Sequence, residues 1–122
     1  MARPIFDEAR IHPAIRDKIA SWRVEIVKEV QEVVAAKALV VVGMMMNPAP
    51  RKARKLLDAA GLEYTYLEYG SYLGGYRRRL PLKMWTGWPT FPMIFVKGVL
   101  IGGASDLEKL MASGKLKEML GS

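Results

Sequence analysis

The sequence predicts a small α/β sandwich, a mixed sheet with helices on both faces, and three features carry that expectation. Leu39-Val40-Val41-Val42 is a continuous β-branched run of the kind that forms a strand buried on both faces. Patterns with helical spacing lie on either side of it, and a strand–helix–strand unit implies two parallel strands joined by a right-handed crossover. Later, Met93-Ile94-Phe95-Val96, the turn Lys97-Gly98 and Val99-Leu100-Ile101 read as a β-hairpin. The predicted order is α-β-α-β-α-β-β-α, in one domain spanning 1–122.

Residues 1–12 are polar and hold Pro4, so they read as an irregular lead-in. Pro13 suits the first turn of a helix, where its missing N–H has no intrahelical partner to lose. Ile15, Ile19, Trp22, Ile26, Val30 and Val33 then recur at helical spacing, against a face of Arg16, Asp17, Arg23, Lys28, Glu29 and Glu32. This predicts one amphipathic helix over 13–36. After the first strand, Asn47-Pro48 pairs a favoured N-cap with a favoured first helical residue. Ala53, Leu56, Leu57 and Ala60 form that helix's apolar face, and Gly61 ends it. Alternation over Glu63–Tyr69 predicts a second strand. Gly74-Gly75 breaks the following segment, and Arg77-Arg78-Arg79-Leu80 reads as the start of a short helix that Pro81 either interrupts or begins. After the hairpin, Ser105 is the expected cap of a helix with Asp106 and Glu108 in its first turn, and Lys115 to Leu120 closes the chain.

Composition narrows the chemistry. The 122 residues are 51% hydrophobic and 25% charged, enough apolar surface for one packed core. There is no cysteine, hence no disulfide, no thiolate metal site and no cysteine nucleophile. The longest apolar run, residues 38–46, falls short of the ~20 residues that span a bilayer, and the acidic Asp7-Glu8 start lacks the apolar core of a signal peptide. The expectation is a cytoplasmic protein without membrane contact. The net charge of +7 leaves an anionic partner open.

Four stretches together resemble the glutaredoxin family, its monothiol branch in particular. Val40-Val41-Val42 leading to Asn47-Pro48-Ala49-Pro50-Arg51-Lys52-Ala53-Arg54-Lys55-Leu56-Leu57 resembles the family's active-site strand and helix, where a Cys-Pro-aromatic-Cys motif precedes a Lys/Ala/Lys-Leu-Leu run. Arg79-Leu80-Pro81-Leu82-Lys83-Met84-Trp85-Thr86-Gly87-Trp88-Pro89-Thr90-Phe91-Pro92 resembles the monothiol stretch Arg-x-x-Leu-Lys-x-aromatic-Ser-x-Trp-Pro-Thr-x-Pro. Ile94 to Gly103 is similar to the terminal hairpin with its Gly-Gly pair. Asp106-Leu107 and Ser113-Gly114-Lys115-Leu116 resemble the closing helices. The resemblance implies a thioredoxin-like, glutaredoxin-type three-layer sandwich with a four-stranded mixed sheet and an added N-terminal helix.

Asn47 stands where the family keeps its catalytic cysteine, and Pro50 where dithiol members keep the second. The loop lysine before that cysteine is also missing, replaced within Met44-Met45-Met46. Family chemistry needs a thiolate to attack a disulfide sulfur, and cluster binding in the monothiol branch needs the same thiolate. Asn47 supplies neither, so no catalytic residue, no metal ligand and no required cofactor are expected.

The resemblance still implies a groove. Phe91-Pro92 matches the cis-proline turn whose preceding residue pairs through its main chain with glutathione's cysteinyl backbone. Thr90 and Phe91 would flank that peptide, with Pro92 fixing the turn. Arg79 and Lys83 would meet the glycyl carboxylate. Gly103, Ala104 and Ser105, with Asp106, would meet the γ-glutamyl end, Ser105 standing where the family has an acid. The same turn can equally be a fold-defining feature with no ligand. From the residues themselves, the start of the Pro48 helix and the cations Arg51, Lys52 and Arg54 read as an anion or partner surface, or as a solvated face. Trp85 and Trp88 read as support for the hairpin; an exposed Trp88 would mark a partner surface instead. Tyr69, Tyr72 and Tyr76 beside Arg77-Arg78-Arg79 fit a nucleic-acid surface, although a solvated basic loop explains such a run more often. His12 reads as a helix-entry residue.

The function expected from this combination is non-catalytic and related to redox homeostasis. The chain would hold glutathione, a similar acidic peptide or an extended protein segment in the groove between Asn47, Phe91-Pro92 and Ser105. Alternatives are a role beside redox or iron–sulfur proteins through a cysteine-bearing partner, and basic nucleic-acid binding.

Overall fold

The β-branched run lies at the centre of the sheet. The computed structural model describes residues 6–45, 47–69 and 76–121, without the side chains of Glu8, Ile19, Ala20, Tyr76, Arg77 and Arg78. A 3-10 turn (Glu8–Arg10) precedes α1 (Pro13–Ser21), α2 (Val24–Ala36), β1 (Leu39–Gly43), α3 (Pro48–Ala59), β2 (Thr65–Glu68) and α4 (Tyr76–Thr86). The hairpin β3 (Met93–Val96) and β4 (Val99–Gly102) then leads to α5 (Ala104–Ala112) and α6 (Lys115–Leu120). The sheet order is β2-β1-β3-β4: β1 and β2 are parallel, with Val41 opposite Tyr66, while β3 runs antiparallel to both β1 and β4.

Side chains alternate across the sheet, and the alternation makes three layers. Val40, Val42, Met93 and Phe95 face α2 and α4 through Ile26, Val30 and Leu82. Leu39, Val41, Ile94 and Val96 face the other way, onto Ala53 and Leu57 of α3, Leu107 of α5 and Leu116 of α6. Each large aliphatic side chain buried in this way contributes about 1.5–3 kcal/mol. The hairpin turns where expected, with Lys97 (φ 48) and Gly98 (φ 83) both left-handed, the conformation a two-residue turn demands. This is the thioredoxin-like architecture, with helices added at the N-terminus.

Several boundaries differ from expectation. The helix over 13–36 is two helices, broken at Trp22–Arg23, where Arg23 adopts a left-handed backbone (φ 47) with its guanidinium 5.6 Å from the Trp22 ring centroid. The break turns the two halves out of register. Ile26 and Val30 stay buried, while Ile15 and Trp22, expected on the same stripe, are 45% and 41% exposed. His12 caps α1, its Nδ1 accepting the Ala14 N–H at 3.0 Å. The second strand is shorter than Glu63–Tyr69, and β4 runs one residue further, to Gly102. Pro81 lies inside α4, buried between the helix and the core. The Gly74-Gly75 break, Tyr72 and Met46 lie outside the described residues.

Candidate functional site

Asn47 joins two parts of the fold. Its Oδ1 accepts the Ala49 N–H at 3.0 Å, capping α3, while its Nδ2 donates to the Phe91 carbonyl at 3.4 Å, 44 residues along the chain. Of the first three positions of α3, Pro48 and Pro50 have no N–H and Ala49 has given its own to the cap. The donors that a helix start ordinarily leaves open are therefore absent or filled. This corrects the expectation of an anion site built on the end of this helix. Pro50 is fully buried; a Cβ at Gly43 would fall 2.9 Å from its Cβ and 2.8 Å from the Tyr66 hydroxyl. Met44 is buried in the core and Met45 is exposed beside Asn47.

The Phe91–Pro92 peptide bond is cis, and both residues are buried. The approach to this turn is set by Thr86, whose hydroxyl donates to the Leu82 carbonyl at 2.9 Å and accepts the Trp88 N–H at 3.1 Å. Lys83, half-buried on α4, places its Nζ 5.8 Å from the Phe91 ring centroid. Thr90 is exposed beside it. Arg79 is 7% exposed, its Nη1 donating to the Tyr69 carbonyl at 3.4 Å. Tyr69 is itself buried, so of the aromatic and basic run only Tyr72, Tyr76, Arg77 and Arg78 remain, all outside the described side chains. Trp85 stacks on Phe95 with ring centroids 5.8 Å apart and is partly exposed, while Trp88 is half-buried.

The start of α5 lies against the same turn. The helix begins at Ala104 with Gly103 as its N-cap, not at a Ser105 cap; Ser105 is the second helical residue and is exposed. The Asp106 Oδ2 accepts the Gly103 N–H at 2.9 Å, which sets the start two residues early. Gly102 (φ 112) must be glycine, because a Cβ there would run into the Asp106 carboxylate. Gly103 abuts the turn: a Cβ on it would lie 3.6 Å from the Pro92 carbonyl oxygen and 3.9 Å from the Trp88 indole. Asn47, Phe91, Pro92 and Gly103 are thus neighbours, with Lys83 to one side and Ala104, Ser105 and Asp106 to the other.

Outside the groove, α3 carries Arg51, Lys52, Arg54 and Lys55, all exposed. They do not form one surface. Arg54 turns to β2, its guanidinium 4.2 Å from the Tyr66 ring centroid and its pKa raised by a hydrogen bond to Tyr64. Burial, helped by a hydrogen bond to Glu68 at 3.0 Å, pushes the Tyr66 hydroxyl up to about 12. Lys52 pairs with Glu108 of α5 at 2.8 Å and holds that carboxyl below its ordinary range. Arg51 and Lys52 instead share a hollow with Lys55 and Leu56, a grouping that their helical spacing allows.

Chemically, the site has no thiol. Neither Asn47 nor Pro50 forms a thiolate, and the donor set does not fit an iron–sulfur cluster. No described helix is long and apolar enough to cross a membrane.

Comparison with known proteins agrees with this geometry. The glutaredoxin family profile matches residues 48–101. A glutaredoxin-like protein of Dictyostelium discoideum is 42% identical over 102 residues, covering 84% of this chain and 83% of its own. A probable monothiol glutaredoxin of Legionella pneumophila is 33% identical over 69 residues, 57% of this chain and 74% of its own. Among solved structures, a mutated buckwheat glutaredoxin superposes with a TM-score of 0.73 at 28% identity, covering 83% of this chain and 92% of its own. A buckwheat glutaredoxin–glutathione complex does so with 0.71 at 27% identity, covering 86% and 92%. With sheet order and sequence in agreement, this chain, cysteine-free as it is, belongs to the glutaredoxin family.

Proposed function

We propose that the chain is a non-catalytic binding module that holds glutathione, or a similar short peptide with a carboxylate at each end, without reacting with it. One observation carries the reading: the cis Phe91–Pro92 turn has Lys83 near its first residue and Gly103, the N-cap of α5, against its second. Lys83 stands on one side, 5.8 Å from the Phe91 ring. On the other, the amides of Ala104 and Ser105 begin α5, where no intrahelical carbonyl can reach them and the helix dipole is positive. Glutathione carries one carboxylate at each end of a peptide, and its complex with buckwheat glutaredoxin is among the solved structures this chain resembles. Asp106, held by the Gly103 amide, would supply the negative charge for a γ-glutamyl ammonium. Arg79 is buried with its Nη1 on the Tyr69 carbonyl, so the charge for the glycyl carboxylate is assigned to Lys83.

Because grip comes from main chain and charge, the ligand's sulfur matters little. Isothermal titration should give similar affinities for glutathione and S-methylglutathione. Lys83→Ala should weaken both about 2–5-fold, the worth of one exposed charge pair. No exchange of a glutathione mixed disulfide should accompany binding. Absence of heat at millimolar glutathione would remove the proposal.

A further inference from the structure

We propose that the outer face of α3 is a docking surface for an acidic protein segment, which seats an apolar side chain between cations. This goes beyond the glutathione reading and uses a different face of the molecule. The face holds a hollow of about 420 Å³ lined by Pro48, Arg51, Lys52, Lys55, Leu56 and Ala59. Its floor is apolar and its rim is cationic.

The charges there are poorly placed for the helix itself. The first turn of α3 contains no acid, and the cations at its N-terminal end oppose the dipole. Within the fold, Lys52 has Glu108 and Arg54 has Tyr66. Arg51 and Lys55 have no partner among the described residues. They are one helical turn apart, on the order of 6 Å, which is also the separation of two carboxylates one turn apart on a partner helix. A local rule broken without internal compensation is where a binding role is expected.

The floor selects among anionic partners. Pro48, Leu56 and Ala59 offer an apolar contact but no aromatic platform for a base, and a phosphate backbone has nothing apolar to place there. A polypeptide with acids flanking a leucine-like residue satisfies both rim and floor. One helix face is small, so the interaction is transient and weakens with salt.

The test is fluorescence polarisation with a labelled peptide of glutamates flanking leucines, measured at low and physiological salt on the whole chain. The double variant Arg51→Glu/Lys55→Glu should bind tenfold or more weakly, while Lys18→Glu/Lys117→Glu, the same charge change elsewhere, should lose less than twofold. Replacing the leucines with serine should weaken binding several-fold. Equal losses in the two variants, an indifferent serine peptide, or tighter binding of oligothymidylate or phosphatidylserine vesicles would each overturn the proposal. Melting curves guard against misfolding, since removing cations from this end of α3 should leave the variant at least as stable as its parent. Glutathione titration of the same variants separates the two sites: it should be unchanged by Arg51→Glu/Lys55→Glu, and its failure would leave the peptide result standing.

Discussion

Replacing Asn47 tests whether this residue ties the start of α3 to the Phe91–Pro92 turn. Asn47→Ala removes the cap on Ala49 and the tie to the Phe91 carbonyl together. Loss of an Asn cap costs about 1 kcal/mol, within a range of about 0.5–2. The tie, at 3.4 Å, is near the long limit of a hydrogen bond and adds about 0.5 kcal/mol or less. The sum is about 1–2 kcal/mol, which in a domain of this size lowers the melting temperature by about 3–8 °C. Asn47→Ser separates the two parts: its hydroxyl can cap Ala49 but is too short to keep the tie, so it should lose about 0.5 kcal/mol. Asn47→Asp keeps the cap and adds a charge the dipole favours, by about 0.3–1 kcal/mol, while setting a carboxylate against the Phe91 carbonyl. Urea and thermal unfolding give the ranking. If serine proves as destabilising as alanine, the cap is not the source of the loss. If alanine matches the parent, neither bond matters and the reasoning fails.

Asn47→Cys should restore a thiol with a pKa below the ordinary ~8.5, because the Ala49 amide is released to face it. The depression should be partial, since Pro50 supplies no second amide; the pH profile of alkylation reads it. Gly102→Ala should cost about 1–3 kcal/mol in urea unfolding, the added methyl meeting both a left-handed backbone and the Asp106 carboxylate. Alkaline titration followed by tyrosinate absorbance should show a late step near 12 that Tyr66→Phe abolishes. Since folding raises the pKa of Tyr66 from 10.0 to about 12, its effect on stability is level below pH 10 and turns unfavourable as the unfolded chain ionises first across that interval. A titration with no such late step would mean that Tyr66 is not shielded as described.

The sheet was legible because its signals are local. A β-branched run with no polar interruption has to be buried on both faces, and Leu39 to Val42 are. Lys97-Gly98 between two apolar runs admits only a tight turn. What the sequence concealed depends on distant partners. Nothing around Arg23 marks a break, since neither glycine nor proline is present and the left-handed residue is an arginine. Ser105 obeys the usual preference for a cap but lost the position to Gly103, because Asp106 reaches back to the glycine amide. In the site, Asn47 as a cap follows from Asn-Pro, whereas its bond to Phe91 spans 44 residues and has no local trace. Arg79 sits in a run that reads as solvated, yet it is buried. A helix packed against the core exposes only some of its residues, and a run of like residues does not say which.

Gly43 lies so close to Pro50 and Tyr66 that a side chain there would strike both. A larger residue at 43 therefore needs matching changes at 50 and 66. The two ends of this stretch therefore differ in freedom: half-buried Asn47 can be exchanged at the cost of its own two hydrogen bonds, whereas any enlargement at position 43 is felt at once by the buried ring of Pro50.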